Sequence, residues 1–199
     1  MRLHQDYQVV NDEWDCTRCS KRIQISSDKI TCLKNKDDKQ QTAILGSTIV
    51  NKEKGSRFEW RVRARPTAEG GQSIGLIRLP TSILDLEQSN MDKSFAYILG
   101  KPYTSINGYD SKQPALEGPV KESEQLTIRL DYVNEEISIQ REKGPVVTLV
   151  KGHSIVYSSF SLIGILFSEN QGFDIVQEEP GRNGKAEVPK ALAMLGLEQ

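Results

Sequence analysis

The stretch QLTIRLDYVNEEISIQREKG, from Gln125 to Gly144, restricts the fold more than any other part of the chain. Leu126, Ile128 and Leu130 alternate with Thr127, Arg129 and Asp131, and further on Ile137 and Ile139 alternate with Glu136, Ser138 and Gln140. Successive side chains of a strand point to opposite faces, so each half reads as a strand with one buried face. Between them, Asp131 to Glu135 has turn formers at its start and centre, which predicts an antiparallel hairpin.

The same period recurs along the chain. In the segment 54–64, Phe58, Trp60, Val62 and Ala64 fall on one face, while Arg57, Glu59, Arg61, Arg63 and Arg65 fall on the other. That is a strand with an aromatic core face and a basic outer stripe. The stripe is expected to be solvated or paired across strands, with contact to an acidic partner as the alternative. Further strands are predicted at 23–25, 30–33, 42–50 with a break at Gly46, 73–77, 94–100, 146–150, and within 155–176. The run Leu162 to Phe167 is continuously apolar, as in a strand buried on both faces.

About ten short strands separated by turn formers predict an all-β protein, an antiparallel β-sandwich. Phe58, Trp60, Val62, Leu126, Ile128, Leu130, Phe160, Leu162 and Ile165 are its expected core. One helical turn is expected within 82–93 and a short helix at 189–197. The glycines at 70 and 71 read as a hairpin loop, because no Lys-Ser/Thr pair and no helix follow them. The domain organisation expected is an N-terminal extension at 1–20 with Trp14 at the domain edge, a sandwich at 21–176 and a linker-like tail at 177–199.

Charge narrows the partners. The 199 residues carry a net charge of -1, which exerts no general pull on nucleic acid or an anionic membrane. No apolar run approaches the roughly 20 residues of a membrane helix, and the first residues lack the apolar segment of a secretory signal. Cys16, Cys19 and Cys32 are an odd, sparse set, which points to reduced thiols in the cytoplasm or another reducing intracellular compartment. Cys16-Thr17-Arg18-Cys19 has the spacing of half a zinc site or of a redox pair. Cys32, His4 and His153 are the remaining soft or borderline ligands, too few at suitable spacing to close a zinc site, so no metal and no cofactor are expected.

Four stretches in order, KGSRFEWRVRA, SIGLIRL, the block from Ser94 to Gly144 and HSIVYSSFSLIGILF, resemble a SPRY (B30.2-type) domain. The chain departs from that pattern at Glu122-Ser123-Glu124, where the family has Gly-Asp, and at Glu142-Lys143-Gly144, where it has Asn-Gly. The resemblance implies a twisted sandwich of two antiparallel sheets without a catalytic centre, holding a peptide or partner surface on loops at one end. The stretch 101–117 reads as one long loop, and its Tyr103, Asn107 and Tyr109 are the first candidates for partner contact, followed by Arg63 and His153. A structural subunit tethered in a large assembly through Trp14 and the tail is the alternative, and a carbohydrate-binding sandwich a further one. An enzyme is not expected. Asp131, the carboxylate best placed to suggest one, stands before a turn where it would bond local amides.

Overall fold

The computed structural model describes residues 6–35, 40–65, 71–80, 94–98, 104–106, 109–111 and 120–178, with the backbone alone at 94, 97, 98, 104–106 and 109–111. In chain order the strands begin with β1 (Gln8–Val9), β2 (Trp14–Cys19), β3 (Ile23–Ile25), β4 (Thr31–Lys34) and β5 (Thr42–Gly46). There follow β6 (Arg57–Arg65), β7 (Ser73–Leu79), β8 (Ser94–Ile98), β9 (Thr104–Ile106) and β10 (Tyr109–Ser111). The last are β11 (Gln125–Asp131), β12 (Glu136–Arg141), β13 (Val146–Lys151), β14 (Ser159–Leu166) and β15 (Gly172–Ile175), with a 3-10 turn at His153–Ile155.

These strands form two sheets. The first runs β13-β12-β11-β6-β15-β4-β3, with β1 added in parallel beside β6, and the second runs β10-β9-β8-β7-β14-β5-β2. The hairpin read from the sequence is β11-β12, and its register explains why it dominates the fold. Ile128 lies opposite both Ile139 and Trp60, Leu130 opposite Ile137 and Phe58, and Leu126 opposite Val62. Three strands therefore deliver their apolar rows to one face, against the second sheet. Every residue expected in the core is buried, each at 2 % exposure or less.

The second sheet is apolar on both faces. Ile44, Ile74, Leu76, Phe160, Leu162 and Leu166 join the core between the sheets, while Ala43, Leu45, Ile77, Ala96, Ile163 and Ile165 form a separate buried cluster. This is why the run 162–167 shows no alternation, and it places Ile165 away from Phe160 and Leu162. Close approach of backbones needs Gly75: a Cβ there would stand 2.1 Å from the Phe95 carbonyl oxygen.

Three expectations are corrected. Within the expected extension, Gln8–Val9 and Trp14–Cys19 belong to the sheets, since β1 pairs with β6 and β2 pairs with β5. Trp14 opens the outermost strand of the second sheet, yet its ring is fully buried in the main core, so it packs the sandwich rather than serving as a tether. The run beginning at Ile155 starts as a 3-10 turn and becomes a strand only at Ser159, because Val156 and Ser158 amides are taken by His153 and Ile155 carbonyls. The expected helical turn within 82–93 and the helix at 189–197 lie outside the described residues.

Candidate functional site

The hairpin turn after β11 is fixed by Asp131. Its Oδ1 accepts the amides of Val133 at 2.8 Å and Asn134 at 2.9 Å, as expected of a carboxylate at the start of a turn. Its Oδ2 accepts Arg57 Nε at 2.9 Å and Asn134 Nδ2 at 2.8 Å. Burial pushes this carboxyl up, but the Asn134 amide, the Arg57 guanidinium and the other donors outweigh it and hold it below the usual range.

Tyr132 ties the turn to its neighbours. Its amide donates to Ser56 O at 2.9 Å, its hydroxyl donates to Ser158 O at 3.0 Å, and its ring stands edge-on to Phe58. Burial raises this phenol well above its ordinary range. Glu135 adopts φ 55°, the left-handed region, and its carbonyl accepts the Gly152 amide at 2.8 Å. One end of the sandwich is thus a braced platform of the 131–135 turn, the 152–158 connection and the segment 50–56.

On that platform His153 Nδ1 donates to Glu135 Oε1 at 2.6 Å, and Nε2 meets the Tyr157 hydroxyl at 3.1 Å. The two rings pack edge-on with centroids 5.1 Å apart. Tyr157 is nevertheless 79 % exposed and Val133 60 % exposed. Tyr157 borders an open cleft whose other walls include Asn51, Lys52, Glu53 and Ser158. An exposed aromatic held by a histidine that a carboxylate orients is preorganised, so little rotamer freedom is left to lose on contact.

The basic stripe of β6 is largely consumed within the sheet. Arg57 pairs with Asp131, Arg65 with Asp174 at 2.9 Å, and Arg61 with both Glu59 at 2.8 Å and Glu178 at 2.6 Å. Glu59, expected on the open face, is buried, because Arg129 Nε also reaches it at 2.8 Å. Arg63 is exposed, lies opposite Gln125 and Asp174 in register, and makes no ion pair among the described residues.

The other sequence candidates divide. His153 belongs to the platform, and Arg63 does not, since its β6 position pairs with the first residue of β11, away from the 131–135 turn. The stretch 101–117 is not one loop, because it contains the paired strands β9 and β10. Tyr103 and Asn107 lie outside the described residues. Tyr109 opens β10 opposite Ile106, which is opposite Phe95, in the row that continues through Leu76 to Leu162 within β14. Sequence reading missed Tyr157, Val133 and Glu135; the signals were the Ser158-Ser159 break after an aromatic and a valine between turn formers.

Two facing antiparallel sheets, with β6 and β11 at the centre of one and β7 and β14 at the centre of the other, give the chain a SPRY-type fold. Among solved structures it is similar to the SPRY domain of human HERC1, with TM-score 0.65 and 12% identity over 83% of this chain and 98% of that one. It is similar also to the TRIM65 PSpry domain, with TM-score 0.65 and 11% identity over 85% of this chain and 94% of that one. Stonustoxin matches with TM-score 0.61 and 14% identity, over 85% of this chain and 27% of that one. No family model matches the sequence, and no curated protein matches it.

Proposed function

We propose that this chain is a non-catalytic protein-interaction module, holding a short peptide or partner surface against the platform formed by 131–135, 152–158 and 50–56. The observation that carries the reading is Tyr157, 79 % exposed yet held by His153, which Glu135 in turn orients, on a scaffold whose own core does not need its ring. Aromatic side chains that combine rigidity with exposure are the usual anchors of protein interfaces. The SPRY-type fold supports the same class. The described carboxylates at 59, 124 and 131 are engaged with arginines, which suits structural roles better than proton transfer.

Tyr109 and Asn107 are kept in the proposed surface as an aromatic and an amide of the kind that holds an extended peptide. Tyr103 and Arg63 are secondary candidates. The test is affinity capture from native extract with the wild-type chain and with Tyr157→Ala and Val133→Ser, followed by mass spectrometry. A partner lost with both variants and regained with Tyr157→Phe supports the platform. Partners retained by both folded variants refute it and move attention to Arg63.

A further inference from the structure

The last strand of the second sheet, β2, does not run evenly along β5. Trp14 lies opposite Gly46 and Cys19 opposite Ile44, so five steps of one strand accompany two of the other. Two strand residues advance about 7 Å and five about 17 Å, and the surplus is thrown out as an arch over residues 15–18. The arch is held from within. Asp15 Oδ1 accepts the Thr17 amide at 2.8 Å and hydroxyl at 2.6 Å, Asp15 Oδ2 accepts Arg18 Nε at 2.7 Å, and Arg18 Nη2 donates to Gly46 O at 2.6 Å.

This folding-back brings the Cys19 thiol to 3.4 Å from the carbonyl oxygen of Cys16. Cys16 is exposed and Cys19 half-buried, while Cys32 is sealed in the core. We propose that Cys16 and Cys19 form a redox-active pair that closes to a reversible intramolecular disulfide on reaction with a low-molecular-weight disulfide. A disulfide requires Cα atoms about 4.4–6.8 Å apart. A back-folded arch allows that spacing, whereas three steps of a straight strand, about 10 Å, do not.

The two thiols have different roles. Cys16, exposed, loses its proton and attacks one sulfur of the small disulfide, forming a mixed disulfide and expelling one thiolate. Burial, the neighbouring Cys16 and the Asp15 carboxylate hold the Cys19 thiol up, which suits it to resolve rather than to attack first. Deprotonated in its turn, it attacks the Cys16 sulfur and expels the second thiolate. The pair loses two electrons, the small disulfide becomes two thiols, and the two cysteine protons end on those thiols. Cys16 lies in the arch and Cys19 at the ladder position opposite Ile44, so closure draws the arch onto the end of the β2-β5 ladder.

The test incubates the full chain with oxidised glutathione, alkylates it without denaturant, and maps the cysteines by peptide mass spectrometry. The expected product is a Cys16–Cys19 linkage with Cys32 a free thiol, alkylated only after denaturation, and Cys19→Ser should stop at a stable glutathione adduct on Cys16. A lasting adduct on wild-type Cys16 with Cys19 still open to alkylation would overturn the proposal. So would disulfide-linked dimers as the main product, a linkage that includes Cys32, or two surface thiols unchanged by the incubation.

Discussion

The indole of Trp60 donates to Oδ2 of Asp12 at 3.1 Å, joining the centre of the first sheet to a residue 48 positions earlier. Asp12 is fully buried, and its Oδ1 accepts the amides of Glu13 at 2.9 Å and Thr48 at 2.8 Å and the hydroxyl of Ser47 at 3.1 Å. A carboxylate in an apolar interior is tolerated only when its lone pairs are filled, and these donors fill them. This side chain ties the link between β1 and β2 to the centre of the first sheet and to the residues that follow β5.

Asp12→Ala should therefore destabilise the protein strongly. It strands the Trp60 and Thr48 N–H groups, at about 1–3 kcal/mol for each buried donor left unpaired. Gly46→Ala should act on the same site, since its Cβ would stand 2.3 Å from Asp12 Oδ2. Urea unfolding checks both, and the expected outcome is a lower midpoint for each, with the larger fall in Asp12→Ala.

Trp60→Ala removes a side chain that is 1 % exposed and stands opposite Ile128 in the central register. The cavity should cost about 3–5 kcal/mol. Denaturant titration followed by circular dichroism should show loss of most of the folded baseline; a variant with an unchanged midpoint would contradict a core centred on Trp60.

Acid should weaken the junction between Glu124 and Arg141, whose Nε and Nη2 donate to the carboxylate at 2.5 and 2.6 Å. The Arg141 guanidinium, reinforced by the Lys121 amide, holds the Glu124 carboxyl below its usual range against the opposing effect of burial. A depressed folded-state pKa means stability that is present above the unfolded value, about 4.3, and lost as pH falls through the folded value. Wild-type stability should fall more steeply than that of Arg141→Gln below about pH 4.3. Equal slopes in urea titrations at stepped pH would remove this pair from the acid response.

Tyr157→Ala and Tyr132→Phe should separate binding from stability. Tyr157 is exposed, so its loss should change stability by less than about 0.5 kcal/mol. As an interface anchor it should weaken partner affinity by about 2 kcal/mol. Tyr132→Phe removes the hydroxyl that donates to Ser158 O and should cost about 1 kcal/mol of stability. Thermal melts alongside titration with the captured partner give both readings.

The alternation in β6, β11 and β12 was legible because a strand's period of two is local: Trp60, Ile128 and Ile139 declare their shared face one segment at a time. The turn role of Asp131 was legible for the same reason, since its amide partners lie two and three residues on. Trp14 was misplaced because its burial depends on β5, which lies far along the chain. Lys34 sits at the head of a polar run, yet it is buried with Nζ donating to Gln40 O and Phe167 O, each at 2.6 Å. Glu59 looks solvent-facing until Arg129 arrives from a strand 70 residues later.

Residue pattern by itself determined the all-β class, the central hairpin and the inward rows, because these follow from backbone geometry and the removal of apolar surface from water. Which strands became neighbours, which polar groups were buried with partners, and which tyrosine stayed exposed were decided only in the tertiary structure. Those outcomes depend on contacts between segments distant in sequence, as when the Tyr132 hydroxyl reaches Ser158 and leaves the Tyr157 ring outside.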